Sequence, residues 1–216
     1  MDVYRTIVGF FQEGGFFMYP IVLVMALGAA IAIERWVYLT RSRMVNRRVW
    51  NQLQPLLSKG KYQQAYAICS KSKAAVSNIL SYGLGRIKNA RRRDDIEKAM
   101  EESLMEEMPR LEKRTHYLAT FANLATLLGL LGTIIGLIKA FTAVAAANPA
   151  EKADMLSASI SVAMNTTALG LMVAIPLLFI HAVLQTKTNE LVDSLEMATV
   201  KFLNTVSERP AAESAS

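Results

Sequence analysis

Two runs of neutral, oxygen-bearing side chains sit inside stretches that are otherwise apolar. Asn123, Thr126 and Thr133 interrupt the first stretch, and Ser159, Asn165, Thr166 and Thr167 interrupt the second. On a helix, at ~100° per residue, the first three fall in one stripe covering roughly a quarter of the circumference. In the second stretch Ser159, Thr166 and Gly170 share a face, being seven and four apart. Asn165 and Thr167 flank that face by ~100° on either side. Polar groups at membrane depth face other helices or a wet path, because leaving them in hydrocarbon is costly. Two readings stand. The hydroxyls and amides bond back to their own helix or to a neighbour, with Gly129, Gly132 and Gly136 permitting close packing and Gly132 and Gly136 in small-xxx-small spacing. Or the two stripes line an ion path around a symmetric ring. Neither stretch contains an Asp or Glu, so this chain alone supplies no carboxylate relay at membrane depth.

The elements that must position these residues are long apolar helices. Three windows are long enough to cross a hydrocarbon layer of ~30 Å at ~1.5 Å per residue: 17–38, 117–141 and 156–183. Of 24 Lys and Arg, 17 lie between Arg41 and Arg114, with Lys187, Lys201 and Arg209 in the tail. The formal charge of +6 is therefore a positive-inside signal rather than a nucleic-acid footprint. It predicts a multi-pass membrane chain with the N-terminus and the 147–154 loop outside, and the long loop and C-terminal tail in the cytoplasm. Arg35 and Lys139 are expected at helix ends. The single Cys69 excludes an internal disulfide. The first apolar segment runs into Glu34-Arg35-Trp36 rather than a cleavage site, which reads as a retained anchor.

The resulting division is that of an all-α membrane protein. It comprises an N-terminal amphipathic segment (1–15), a first transmembrane helix (16–40), a cytoplasmic helical domain (41–115) and a second transmembrane helix (116–143). A short periplasmic loop (144–155), a third transmembrane helix (156–183), a cytoplasmic C-terminal helix (184–207) and a disordered tail (208–216) follow. Glu34, Arg35, Trp36 and Tyr38 read as an amphipathic anchor at the inner end of the first span. In the soluble region Val49, Trp50, Leu53, Leu56 and Leu57 repeat at helical spacing until Gly60, and two shorter helices follow. Arg91-Arg92-Arg93 reads as a solvated or lipid-headgroup run, since no aromatic residues interleave with it. Asp94 and Glu97 predict a helix start of capping-box type. That helix carries Ile96, Met100, Leu104, Met108 and Leu111 on one side, with Glu101, Glu102, Glu106 and Glu107 elsewhere. It is expected to run into the second span as one rod, kinked at Pro109. Pro176 is expected to kink the third span. From Leu184 through Leu191, Leu195, Ala198 and Phe202, steps of four and three give a seam that packs on similar helices.

No enzyme signature is present. The Gly129 to Gly136 run lacks the Gly-Lys-Ser/Thr ending of a phosphate loop. His116 and His181 have no Cys, Asp or Glu at metal-ligand spacing and read as interfacial hydrogen-bonders. Cys69 has no evident base nearby. Besides an ion path, a passive oligomeric scaffold and a small transporter are the other classes; the absence of intramembrane charge and of broken half-helices argues against the transporter.

Several segments together resemble the MotA/TolQ/ExbB family, and more closely its ExbB/TolQ branch. They are Glu34-Arg35-x-x-Tyr38-Leu39, Gly60-x-Tyr62-x-x-Ala65, Leu111-Glu112-x-Arg114, Leu118-Ala119-Thr120-x-Ala122-Asn123, Leu127-Leu128-Gly129-Leu130-Leu131-Gly132-Thr133-x-x-Gly136-Leu137 and Ala168-Leu169-Gly170-Leu171-x-x-Ala174-Ile175-Pro176. The resemblance implies a homopentameric ring whose second and third spans line a central pore. Two copies of a single-span ExbD/TolR-like partner, each with a membrane aspartate, would occupy that pore. H⁺ or Na⁺ flow would turn ring against partner and deliver work, through a TonB/TolA-like energy transducer, to a periplasmic or outer-membrane client. No other cofactor is implied. Thr133 and Thr167 match the family's pore threonines by position. One departure stands out: the branch usually has a glutamate five residues before the threonine aligned with Thr167, where this chain has Val162. The Thr166-Thr167 pair is similar instead to the paired threonines of sodium-driven stators, and neutral oxygens suit a hard cation.

Overall fold

The computed structural model describes residues 15–87, 93–146 and 148–207, and all of its regular structure is helical. Six helices follow in order: α1 (Met18–Ser58), α2 (Tyr62–Lys71), α3 (Ala75–Arg86), α4 (Arg93–Glu112), α5 (Thr115–Ala146) and α6 (Lys152–Ser207). The amphipathic segment expected at the N-terminus, the disordered tail and most of the Arg91-Arg92-Arg93 run lie outside the described residues. Three long apolar helical stretches, on α1, α5 and α6, suffice to cross a membrane. At ~1.5 Å per residue the 56 residues of α6 and the 41 of α1 exceed a hydrocarbon layer of ~30 Å, so each continues well past its apolar part.

The chain divides into two compact units: Met1–Glu34 with Arg114–Val183, and Arg35–Lys113 with Leu184–Ser216. In the first unit many of the inward residues are small, beside a few large ones such as Met18, Ile21, Leu118 and Leu177. Ala122, Ala125, Gly129, Gly132 and Ala140 of α5 are buried, as are Ala163, Gly170 and Ala174 of α6. Many large apolar side chains point the other way, with Leu127 61%, Ile175 65% and Phe179 71% exposed. That outward placement is what a lipid-facing surface permits, since Leu gains nothing by leaving one hydrocarbon for another.

The second unit has the opposite arrangement. Leu53, Ile79, Leu80, Met100, Leu191, Leu195 and Phe202 are almost fully buried. On α6 the buried positions Leu184, Thr188, Leu191, Leu195, Ala198 and Phe202 alternate by four and three, the seam anticipated from the sequence. A Cβ added at Gly83 would lie 2.6 Å from the Met100 sulfur and 2.9 Å from the Phe202 ring, so α3 passes tightly over both. Gly60, at φ 71°, ends α1 in the left-handed region open to glycine.

Four expectations need correction. First, α4 and α5 are not one rod. The break falls at Arg114 (φ 65°), a left-handed residue between the two helices, and Pro109 stays inside α4. Second, α4 begins at Arg93, so Asp94 sits in the first turn rather than ahead of it, where a carboxylate still complements the helix dipole. Third, Glu107 is buried on the apolar side of α4 because Asn78 donates to it at 2.8 Å and Arg110 pairs with it at 2.7 Å. Fourth, Arg35 and Lys139 lie within helices rather than at their ends. Arg35 is only 2% exposed; its guanidinium donates to the Leu111 carbonyl and lies 4.7 Å from the centre of the Tyr38 ring. Pro176 lies inside α6, which continues through it.

Candidate functional site

In the first unit α5 and α6 come together along their glycines. Gly132 faces Thr166: a Cβ there would fall 2.5 Å from the Thr166 methyl. Gly136 faces Ala163 at 2.8 Å on the same measure. A Cβ on Gly170 would lie 2.7 Å from the Ala125 carbonyl oxygen and 3.2 Å from Gly129 Cα. Those contacts are to backbone, which cannot rotate away, so hydrogen is the only side chain that fits at Gly170 without moving a helix.

The close approach carries the threonines to one another. The Thr133 and Thr167 hydroxyls are hydrogen-bonded together. Thr133 also donates to the Gly129 carbonyl at 3.1 Å and approaches that of Ala163 at 3.4 Å. Thr167 reaches across to the Gly129 carbonyl at 2.9 Å. Four oxygens, two hydroxyl and two carbonyl, are therefore gathered around one point, with α5 and α6 each contributing one of each kind. One proton per hydroxyl cannot satisfy all of these contacts at once, so the cluster retains lone pairs that a cation or a transferred proton could use.

The remaining sequence-derived residues divide clearly. Thr166 is buried and bonds its own helix at the Val162 carbonyl, 3.0 Å away. Thr126 does likewise with the Ala122 carbonyl at 3.1 Å, from an exposed position. Asn123 is exposed, and Asn165 and Ser159 are half-buried; none of the three is drawn into the oxygen cluster. The narrow stripe on α5 thus divides into a threonine at the α5–α6 contact and two residues turned outward. Back-bonding to the fourth preceding carbonyl is an ordinary use of Thr in a membrane helix. Sequence reasoning missed Ala163, whose backbone oxygen joins the cluster, and Ala125, whose carbonyl meets Gly170. Only the small size of these residues signalled close approach. It also missed the ion pair between Glu34 and Arg114 at 3.0 Å.

Comparison with known proteins agrees with this architecture. The family model described as the MotA/TolQ/ExbB proton channel family matches residues 71–197. A biopolymer transport protein homologous to ExbB, from Methanothermobacter thermautotrophicus, is 30% identical over 199 residues, covering 91% of this chain and 69% of its own length. An ExbB-like biopolymer transport protein of Synechocystis is 27% identical, over 85% of this chain and 72% of the relative. The Tol-Pal system protein TolQ of Haemophilus influenzae is 35% identical over 43% of this chain and 40% of the relative. With its three apolar helices, the chain is a multi-pass membrane protein, and it belongs to the MotA/TolQ/ExbB proton channel family, on the ExbB/TolQ-like side.

Proposed function

We propose that this chain is the ring-forming subunit of an ion-driven motor of the bacterial inner membrane. Five copies surround two single-span ExbD/TolR-like partners and convert H⁺ or Na⁺ flow into work on a periplasmic or outer-membrane process. The N-terminus lies in the periplasm and the C-terminus in the cytoplasm, as the distribution of Lys and Arg favours. The observation that carries the reading is the cluster of Thr133, Thr167 and the Gly129 and Ala163 carbonyls, in apolar helical stretches (117–141 and 156–183) without a carboxylate. Such a site offers an ion neutral oxygens and no fixed charge, so the acid that binds and releases it must come from another subunit. A partner aspartate opposite Thr133 and Thr167 would complete the site. Four neutral oxygens and Thr166-Thr167 in place of a glutamate-bearing third span lean toward Na⁺.

The rival reading is a passive oligomeric scaffold. It draws on the fact that Thr126, Thr133, Thr166 and Thr167 all have backbone carbonyl partners within the unit. The two readings separate on Thr133→Val and Thr167→Val, tested with the one-span partner co-expressed. For the motor, native mass spectrometry gives the wild-type ring mass in both variants while ion-dependent work is lost. Full work in both variants sinks the ion-pathway assignment, and a wild-type complex without the partner returns the chain to the scaffold reading.

A further inference from the structure

Where α1 leaves its apolar stretch, the second unit contains a cavity of about 250 Å³ lined by Tyr38, Arg41, Ser42, Lys73, Ala75 and Glu107, among others. Its chemistry is dominated by donors. Arg41 and Lys73 have no ion-pair partner among the described residues. The Ser42 hydroxyl accepts from the Asn46 amide at 3.3 Å, which leaves its own proton to donate. Asn46 is 5% exposed, and its oxygen accepts the Val76 N–H at 3.0 Å, fixing the start of α3 beside Ser42. Glu107, the one acid on the wall, is turned to Asn78 and Arg110 and so leaves the two cations uncompensated. A cavity with two free cations and oriented donors selects an anion with several oxygens, and phosphate matches that demand.

The position along α1 narrows the source. Arg41 lies three residues past Tyr38, about 5 Å along the helix axis. Trp36 and Tyr38 just precede it, and the Lys187 ammonium sits 3.3 Å from the centre of the Trp36 ring. Aromatic and cationic side chains together mark the depth of lipid headgroups. One turn before Arg41 on the same side of α1 is Val37, 58% exposed, an apolar surface beside which an acyl chain can lie. We propose that this cavity binds the phosphate of an anionic phospholipid, with Arg41 and Lys73 holding its oxygens and a tail along Val37. Basic pockets beside membrane helices are recurrent sites for such headgroups. The inference stands independently of the ion-driven reading.

The test uses the full chain, purified in a neutral detergent. Dioctanoyl-phosphatidylglycerol is titrated and bound adducts are counted by native mass spectrometry, with dioctanoyl-phosphatidylcholine and inorganic phosphate as separate probes. Arg41→Gln/Lys73→Gln is expected to weaken phosphatidylglycerol binding by about tenfold. Arg48→Gln/Lys59→Gln, which removes the same charge outside the cavity, is expected to leave it within about twofold. The single Arg41→Gln variant serves if the double variant does not fold. Equal losses in both double variants, undiminished binding in Arg41→Gln/Lys73→Gln, or equal uptake of phosphatidylcholine would each overturn the site. Inorganic phosphate that binds as tightly as the lipid, and displaces it, would overturn the assignment to lipid.

Discussion

The two units solve the same problem, holding helices together, with opposite materials. Around Gly129, Gly132 and Gly170 the first unit brings backbones into contact and adds hydroxyl-to-carbonyl bonds. Around Leu80, Met100 and Phe202 the second inserts large side chains between its helices. The difference follows from the solvent. In water, burying a large aliphatic or aromatic side chain gains about 1.5–3 kcal/mol. In lipid that gain vanishes, and dispersion contact plus hydrogen bonding are what remain. Glycine therefore lets α5 and α6 touch backbone to backbone in one unit, whereas in the other Gly83 makes room for the side chains of Met100 and Phe202.

Substitutions can sharpen or break that contrast. The largest effect is expected at Gly170: Gly170→Val puts side-chain atoms against the Ala125 carbonyl and Gly129 backbone, and no stable α5–α6 pair should survive. Protease resistance of the membrane fragment reads this out, and a wild-type pattern would mean the helices do not depend on close approach. Next is Phe202→Ala, which should cost about 3–5 kcal/mol in denaturant unfolding while leaving the membrane fragment protected. Loss of protection in both regions would erase the distinction between the units.

Cys69 gives a smaller effect, confined to alkaline pH. It is 2% exposed, and burial pushes its thiol up from the ordinary 9.0 to about 11. A raised pKa in the folded state means the associated stability is complete below pH 9 and declines as pH rises through 9 toward 11, where the unfolded chain ionises first. Maleimide labelling at pH 8 should be slow until denaturant is added, and Cys69→Ala should flatten the alkaline decline in stability. Fast labelling of the native chain would place Cys69 outside the core. The smallest effect is at Gly85, where an added Cβ meets nothing within 4 Å. Gly85→Ala should raise the stability of the second unit by about 0.5–1 kcal/mol, the ordinary helix-propensity gain.

What the sequence revealed, and what it concealed, follows from distance along the chain. The three apolar windows, the Leu184 to Phe202 seam and the polar stripes were legible because each is a local pattern of spacing. The meeting of Thr133 with Thr167 was legible only as an option, since two striped helices can pair or stand apart. Glu107 was misplaced because the partner that makes its burial tolerable, Asn78, lies 29 residues away. Arg35 was misplaced for the same reason, its acceptor at Leu111 being 76 residues distant. The α4–α5 break escaped notice because an arginine, and not a glycine or proline, occupies the turn. A left-handed backbone costs a non-glycine residue roughly 1–2 kcal/mol, and nothing in the local spacing announces it.

That turn at Arg114 bears on biosynthesis. A single rod from Arg93 would present the insertion machinery with an acidic, water-soluble helix fused in register to an apolar one. With the chain reversed to positive φ at Arg114, α5 instead starts its own ladder, the Tyr117 N–H bonding the Arg114 carbonyl at 3.1 Å. The second span can thus become helical and enter lipid while α4 is still free to find its place against α3.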